Sequence, residues 1–379
     1  MLLTLRAHGF PSARPLHLSK SQLRPVRTMA SPALMANMQR AMQTVYGDFG
    51  SLPSIQASSW TPPPAADGHR GRYLWTDAFG VLNFITFYKE TREQRYLFLA
   101  ARLISTVHDV LGRERDGRSR LPGATEANPV AGGLRIGKEQ EDGEDGDGQY
   151  HHYLTLWMFA LNRMALASQD QVYNDLAISL AQTIHPAFVY DRQSARPRMY
   201  WKVSMDLSKP LVTSEGNLDP IDGYVIYKLL QRTDGTDVLQ DEIDDYRKIL
   251  QTKWRRYASD DPLDLGMTLW TVQWLQEEEW AKELTNKAFT CLSAVWDDGY
   301  FDSPSRHRLP FREFGTCLGI QCHDFAEWQD RARRLILFWE EHGKVPEPPP
   351  EHISDKLTPI TCVMYAAALY PGAFRQGYL

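Results

Sequence analysis

The sequence predicts an all-α protein, an (α/α)6 barrel (a toroid) in which six inner helices alternate with six outer helices. Helical hydrophobic periodicity runs through nearly the whole chain past residue 30. Segments that are apolar on every side alternate strictly with segments that are apolar on one face only. Because a helix that is apolar all round must be covered on every side, the first kind belongs inside a ring of the second kind.

The amphipathic segments carry an apolar stripe opposite a charged face, as outer helices do. In the second of them Tyr96, Leu99 and Leu103 recur at helical spacing, with Arg95 directly before them and Arg102 between them. In chain order, the predicted outer helices cover residues 33–46, 91–111, 171–183, 238–254, 277–294 and 325–341.

The segments between these are apolar nearly all round, which predicts burial on every side. An outer helix follows each of the first five after a few residues, so we expect inner and outer helices to form hairpins. The predicted inner helices cover residues 78–88, 153–165, 223–230, 265–275, 314–320 and 360–370.

The connections that lead into the inner helices are mostly long, and only residues 259–264 form a short one. If the inner helices are parallel, all the long loops lie on the face where those helices begin. Such loops commonly carry binding and catalytic residues, and helix N-termini there present free N–H groups. The long connections are residues 47–75, 112–148, 185–222, 297–313 and 343–359.

The composition is that of a globular chain with a large core. Of 379 residues, 43% are hydrophobic and 11% are aromatic, which excludes a disordered or collagen-like chain. The formal net charge of -5 argues against strong binding to nucleic acid. No apolar run approaches the roughly 18 residues of a membrane span. We therefore expect a small-molecule partner, with neither nucleic acid nor membrane as a partner.

The cysteines have no C-x-x-C spacing, and each lies in an apolar or aromatic stretch. They are Cys291, Cys317, Cys322 and Cys362. Neither a disulfide framework nor a zinc knuckle is predicted, and no metal or cofactor is expected. Buried reduced thiols suit a reducing compartment, so we expect a cytoplasmic protein.

The N-terminal segment has a composition of its own. Residues 1–47 contain six Lys or Arg and no Asp or Glu, a pattern closer to an organellar presequence than to a secretory signal. The alternative is that translation starts at Met29. We expect residues 1–30 to be disordered or targeting-like, with a mitochondrial location if the presequence is genuine. Residues 31–379 are then one barrel domain.

A carboxylate stands at the start of five inner helices, and a glycine follows each of them within three residues. The five are Asp77, Asp147, Asp222, Asp264 and Glu313. Each alone is explained equally well as a helix N-cap. Together they are expected to face one cavity. Glycoside hydrolysis needs such a pair, an acid that protonates the leaving oxygen and a carboxylate that activates water.

The acidic stretch 139–153 ends in a pair of histidines at a helix start. Its acids do not follow the register of a calcium-binding EF-hand. We expect Asp147, nearest the helix, to reach inward and the other acids to be solvated. His151 and His152 point about 100° apart on a helix, so at most one faces the barrel axis squarely. That histidine is a candidate acid, base or hydroxyl-binding group, and the other is explained as a polar residue hydrogen-bonded to a neighbour.

The loop before the third inner helix adds polar candidates, Glu215 and Asp219, and the run Asp219-Pro220-Ile221-Asp222 is typical of a helix start. Sugar sites also use aromatic faces, which stack on C–H surfaces, although aromatic side chains equally fill cores. The aromatic candidates are Trp75, Tyr150, Trp201 and Tyr224.

Residues 75–80, with the sequence Trp-Thr-Asp-Ala-Phe-Gly, resemble the first hairpin of the six-hairpin glycosidase superfamily, most closely its unsaturated glucuronyl hydrolases. Residues 87–91 and 96–100 continue the resemblance, and so does the helix start at 221–223. The resemblance implies an (α/α)6 barrel in which an aspartate at an inner-helix start acts as acid/base while water adds to an enol ether.

Asp222 matches one family aspartate. The other family aspartate follows a His-His pair, where this chain has Tyr153. Asp147, just upstream of the pair, is the possible substitute.

We therefore predict a carbohydrate-active enzyme that hydrolyses a glycosidic bond in a small saccharide or glycoconjugate by carboxylate acid/base catalysis. The predicted catalytic residues are Asp222, Asp147, Asp77 and His152. The predicted substrate-binding residues are Trp75, Tyr150, His151, Trp201, Glu215, Asp219, Tyr224, Asp264 and Glu313. Two alternatives stay open. One is a sugar 2-epimerase whose histidines exchange a proton beside an opened-ring carbonyl, and the other is a non-catalytic toroid that binds a ligand or a partner protein.

Overall fold

The structure is a computed structural model that describes residues 30–63, 72–141, 146–345 and 356–379. The predicted targeting-like segment therefore lies outside the described residues, apart from Ala30. The helices in chain order are α1 (Pro32–Tyr46), α2 (Ser54–Ala57), α3 (Leu74–Thr91), α4 (Arg95–Leu111), α5 (His151–Ser168), α6 (Val172–Phe188), α7 (Asp219–Asp234), α8 (Gln240–Lys253), α9 (Pro262–Val272), α10 (Glu279–Asp297), α11 (Pro310–Gln321), α12 (Ala326–Glu341) and α13 (Thr358–Leu369).

Two concentric rings confirm the predicted (α/α)6 barrel. The inner ring consists of α3, α5, α7, α9, α11 and α13, each packed on the next, and α13 closes the ring against α3. The outer helices α4, α6, α8, α10 and α12 each pack on the inner helix that precedes them. The remaining outer position belongs to α1, which packs against α13, so the first helix meets the last.

Two short antiparallel pairs of strands order the long loops. Strand β1 (Gln149–Tyr150) pairs with β4 (Lys202–Val203), and β2 (Val189–Tyr190) pairs with β3 (Arg198–Met199). The first pair joins the loop before α5 to the loop before α7, and the N–H of His151 donates to the carbonyl of Trp201 (3.0 Å).

Glycine allows an unusually close crossing of α9 and α11. A Cβ on Gly266 would overlap the carbonyl oxygen of Gly315, and one on Gly319 would overlap the carbonyl oxygen of Gly266. The glycines at the starts of α3 and α7 have a different reason, because they leave room for tyrosines of the outer ring. Gly80 faces the hydroxyl of Tyr46, and Gly223 faces the ring of Tyr246.

Aromatic side chains fill the barrel axis toward the end where the inner helices finish. The ring of Phe374, just after α13, lies 4.8 Å from Phe79 and 6.0 Å from Trp270, measured between centroids. Phe159 packs on Trp270 at 5.0 Å. The carbonyl of Phe374 accepts hydrogen bonds from Trp270 Nε1 (3.1 Å) and Gln273 Nε2 (2.9 Å). The barrel is therefore closed at this end.

All four cysteines are free thiols, three of them buried and Cys291 half-buried. Among the described residues, no helix combines the length and the apolar character needed to cross a bilayer.

Candidate active site

A cavity of about 500 Å³ opens at the end of the barrel where the inner helices begin. Its walls come from the first turns of the inner helices and the loops that lead into them, as the long connections predict. Six of the predicted site residues line it: Trp75, Tyr150, His152, Trp201, Asp219 and Asp264.

The imidazole of His152 lines the cavity, with a buried carboxylate behind it. Its Nδ1 is hydrogen-bonded to Oδ2 of Asp222. The other carboxylate oxygen of Asp222 accepts from Thr271 Oγ1 at 2.8 Å. Within the described residues, Nε2 of His152 has no hydrogen-bond partner, so this nitrogen is the one that is offered to a ligand.

Charge and burial act in opposite directions on this pair. Burial by itself lowers the pKa of His152, but the charge of Asp222 and the hydrogen bond to it outweigh burial and raise the pKa above its ordinary value. Burial raises the pKa of Asp222, and the charge of His152 opposes that rise. His152 therefore keeps a proton to higher pH than a free histidine.

The neighbouring histidine, His151, also pairs with an aspartate, but in this pair the carboxylate lines the cavity and the imidazole lies behind it. Asp219 lines the cavity, and His151 lies fully buried behind it, with Nδ1 3.5 Å from Oδ1 of Asp219. Neither of these two atoms has a hydrogen-bond partner among the described residues. The Nε2 atom of His151 is hydrogen-bonded to the hydroxyl of Tyr246 at 2.6 Å.

These two reciprocal pairs come from two short stretches of sequence. Adjacent histidines at the start of α5 meet Asp219 and Asp222, which lie three residues apart on the first turn of α7. Because adjacent helical residues point about 100° apart, only His152 reaches the cavity. Likewise only Asp219 of the two aspartates lines it. From these two pairs the cavity thus receives one imidazole and one carboxylate.

A third carboxylate, Asp264, lines the opposite part of the wall. It accepts hydrogen bonds from Asn217 Nδ2 (2.9 Å) and from the hydroxyl of Tyr257 (3.0 Å). The charges of Asp219, Asp222 and Asp264 all help to raise the pKa of His152. The three carboxylates therefore form one electrostatic cluster around the imidazole.

Aromatic rings surround this cluster. Trp75 lies 4.4 Å from His152, and Tyr150 lies 5.0 Å from Trp201, between ring centroids. Burial raises the pKa of Tyr150, and nearby carboxylates raise it further, so its hydroxyl stays protonated and can donate a hydrogen bond. Flat apolar faces next to charged acceptors suit a ligand with both C–H faces and hydroxyl groups.

Four of the five carboxylates expected to share the cavity do not line it. Asp222 lies behind His152, and arginines bind the other three. Asp77 is held by Arg72 Nε and Nη2 (3.0 and 3.1 Å) and accepts from Tyr46. Glu313 is held in the same way by Arg308 Nε and Nη2 (2.7 and 2.6 Å). In both cases the arginine stands five residues before the acid, a spacing that the sequence shows in retrospect.

Asp147 is equally enclosed. One of its oxygens accepts from Arg115 and Arg135 (2.9 and 3.0 Å), and the other from the backbone N–H groups of Gly137 and Lys138. Its side chain has no exposed surface. This carboxylate ties the loop before α5 together and offers no oxygen to the cavity.

Two further predicted binding residues lie away from the cavity wall. Glu215 forms an ion pair with Lys253 (3.1 Å). The hydroxyl of Tyr224 donates to Glu278 at 3.3 Å, beside Lys228.

Several residues that line the cavity were not singled out from the sequence. They are Tyr73, Lys138, Tyr153, Gly216, Asn217, Leu218, Asp261, Leu263, Met267, Phe311, Arg312, Leu357 and Ile360. Their shared signal is position, since most lie in a long connection or within the first turns of an inner helix. Across the described ranges, no group of three or more His, Cys, Asp or Glu side chains is arranged to hold a metal ion.

No protein-family model matches the sequence, and no curated protein matches it. Solved structures do resemble it. A cellobiose 2-epimerase from Spirochaeta thermophila DSM 6192 has a TM-score of 0.51 and 12% identity, over 89% of this chain and 98% of that one. The GH76A alpha-1,6-mannanase from Salegentibacter sp. HEL1_6 has a TM-score of 0.53 and 14% identity, over 89% of this chain and 99% of that one.

Both of these proteins are members of the six-hairpin glycosidase-like superfamily. The resemblance drawn from the sequence is therefore confirmed at the level of the fold, the (α/α)6 barrel.

Proposed function

We propose that this chain is a carbohydrate-active enzyme that hydrolyses a glycosidic bond in a small saccharide or glycoconjugate, with His152 and Asp219 as its acid/base pair. The observation that carries the proposal is the reciprocal arrangement of the two His–Asp pairs, which presents one imidazole and one carboxylate to the same cavity. By their names, both structural neighbours act on saccharides, which supports a substrate of that class.

In the proposed reaction His152 is the general acid. Its raised pKa favours the charged ring, in which Nε2 carries a proton, and this N–H donates its proton to the glycosidic oxygen as the bond to the anomeric carbon breaks. Asp219 is the general base. It accepts a proton from the water whose oxygen bonds to the anomeric carbon, and that proton returns to His152 through solvent.

Asp222 acts through His152 in this scheme. Both of its oxygens are occupied, by His152 and Thr271, and the residue is 1% exposed. It is therefore a positioning residue that orients the ring and supports its charge, as the carboxylate partner of a catalytic histidine does. Asp77 and Asp147, both expected to be catalytic, have no part in the proposed chemistry because their oxygens are bound to arginines.

Substrate binding is assigned to the aromatic rings and to the remaining carboxylate. Trp75, Tyr150 and Trp201 stack on the C–H faces of a sugar ring, and Asp264 accepts hydrogen bonds from its hydroxyl groups.

The test is a turnover assay on a panel of disaccharides and aryl glycosides that includes cellobiose and an α-1,6-linked mannobiose, read out as new reducing ends. His152→Gln and Asp219→Asn are each expected to reduce kcat/KM by about 10² to 10⁴, the usual contribution of a positioned acid or base. Asp245→Asn is the matched control, because it alters a second buried His–Asp pair, with His185, that does not line the cavity. Full activity in both site variants contradicts the assignment.

A sugar 2-epimerase is the second candidate, favoured by the imidazole itself. A histidine with a buried carboxylate partner is well suited to exchanging a proton at a carbon beside an opened-ring carbonyl. In D₂O this reaction places deuterium on a sugar whose glycosidic bonds remain intact, whereas hydrolysis does not. Saturable binding with neither reaction across the panel points instead to the non-catalytic toroid.

A further inference from the structure

The two sides of the cavity differ in chemistry. The side formed by α3, α5 and the loop before α7 carries the aromatic rings and the acid/base pair. The side formed by α9, α11 and α13 is lined by four apolar side chains, of which Leu263 and Phe311 are partly exposed and Met267 and Ile360 are almost fully buried. We call these four side chains the apolar wall.

The charged groups beside the apolar wall have partners within the protein, and among the described residues only Oδ1 of Asp264 remains for a sugar hydroxyl group. Asp261 caps α9 by accepting from the N–H of Leu263 (2.8 Å), and its other oxygen is paired with Arg312. Asp264 accepts from Asn217 and Tyr257. The apolar wall itself contributes hydrocarbon surface to the cavity.

A sugar ring is a poor occupant of such a wall. Its hydroxyl groups would lose their hydrogen bonds to water and find no replacement on Leu263, Met267, Phe311 or Ile360, and unsatisfied polar groups are costly to bury. An apolar group gains free energy in the same place, in proportion to the area it removes from water.

We infer that the substrate is a glycoside with an apolar aglycone, in which the sugar lies on the aromatic side and the alkyl or aryl group lies on the apolar wall. This inference rests on the proposed function. Between the two sides, α7 stands next to both α5 and α9 in the inner ring. It places Asp219, beside His152, where the bond from sugar to aglycone has to be cleaved.

The experiment measures binding separately from turnover. Methyl, hexyl and phenyl 1-thio-glycosides of D-glucose and D-mannose, whose sulfur link resists hydrolysis, are titrated against the full chain by calorimetry. For at least one of the two sugars, we expect the hexyl or phenyl compound to bind at least about tenfold more tightly than the methyl compound. Comparing hexyl with phenyl distinguishes an alkyl from an aryl aglycone.

Two variants test the wall directly. Leu263→Asn and Phe311→Ser each replace a partly exposed side chain, and they are expected to reduce the preference over the methyl compound to about threefold or less. The affinity for the methyl compound should change less than the affinities for the hexyl and phenyl compounds. Leu337→Ser is the matched control, since Leu337 is a 47% exposed side chain on the outer helix α12, and it should retain the full preference.

Equal affinity for all three compounds, or no saturable binding of any, overturns the inference. So does a preference that survives in both wall variants. Hydrolysis of disaccharides without any preference for apolar groups would uphold the proposed function and reject only this inference. Tight hexyl or phenyl binding without hydrolysis of the corresponding O-glycosides would uphold this inference and reject the proposed hydrolysis.

Discussion

His152 and Asp222 illustrate how a single buried contact sets the chemistry of a side chain. The ring of His152 is packed against Trp75 and its Nδ1 is bound to Asp222, so its orientation and its charge are both determined by neighbours. His185 and Asp245 form a similar contact between α6 and α8, away from the cavity. There burial outweighs the carboxylate, and the pKa of His185 falls to about 4.

Replacing Asp222 with Asn should lower the pKa of His152, because the carboxylate charge is what raises it above the ordinary value. If protonated His152 is the acid, the loss of activity at high pH should move to lower pH in this variant. We expect kcat/KM at neutral pH to fall by about 10² or more. NMR titration of the His152 ring and a pH–rate profile measure the two effects. An unchanged profile argues against Asp222 as the positioning residue.

His108 should make the protein less stable in acid. Burial, helped by the charge of Arg120, lowers the pKa of His108 to about 3, and its Nε2 accepts a hydrogen bond from Trp157. The unfolded chain takes up this proton near pH 6.5. Stability contributed by the neutral ring is therefore present above that pH and is lost as the pH falls toward 3.

Urea unfolding at pH 7 and pH 5 measures this loss. The single histidine contributes at most about 2 kcal/mol between these two values. His108→Gln cannot be protonated there, so its loss of stability between the two pH values should be smaller than that of the wild type by up to that amount. Identical losses in the two proteins contradict the prediction.

At the scale of elements, two inner helices begin with the same arginine–carboxylate pair. Each follows a loop whose arginine binds, through two nitrogens, the carboxylate on the first turn, Arg72 with Asp77 in α3 and Arg308 with Glu313 in α11. A bidentate contact of this kind satisfies both partners without water. It anchors the long loop to the helix, which is why these acids serve the fold and leave the cavity to others.

The crossing of α9 and α11 should not tolerate a methyl group. In Gly266→Ala the new Cβ would meet the carbonyl oxygen of Gly315 and the Cα of Thr316, and backbone atoms cannot move aside as side chains do. We expect a loss of at least about 2 kcal/mol in the free energy of unfolding. Gly299→Ala is the control, since its Cβ meets nothing within 4 Å and only the positive φ of 76° resists it. That strain costs about 1 kcal/mol.

At the scale of the whole molecule, the barrel is divided along its axis. The end where the inner helices finish is packed with rings around Phe374, and the end where they begin is open as the cavity. The first helix and the last segment of the described residues help to complete this architecture. The outer helix α1 packs against the last inner helix, and the segment after α13 turns back into the axis.

Removing the ring of Phe374 should destabilise the barrel without changing the cavity. We expect Phe374→Ala to reduce the free energy of unfolding by about 3 to 5 kcal/mol, the usual effect of deleting a buried aromatic ring. The neighbouring Arg375 forms an exposed ion pair with Asp324, so Arg375→Ala should change it by less than about 0.5 kcal/mol. Chemical denaturation of both variants is the measurement, and equal effects would contradict the packing described.

The alternation of helix types, the two rings and the face on which the cavity opens were all predictable from the sequence. These properties follow from hydrophobic periodicity and loop length, which are local along the chain. The pair of histidines and the Asp219–Asp222 helix start were also visible, and the geometry of a helix already limited the cavity to one histidine of the two.

Only the tertiary structure decided which acids face the cavity. Asp77, Asp147 and Glu313 look the same as Asp264 in sequence, yet arginines from the loops bind the first three. Asp219 lines the cavity and Asp222 does not, because each meets a different histidine of α5. A side chain's partners are brought to it by the fold from distant parts of the chain, and a carboxylate points wherever its hydrogen bonds and its burial are best satisfied.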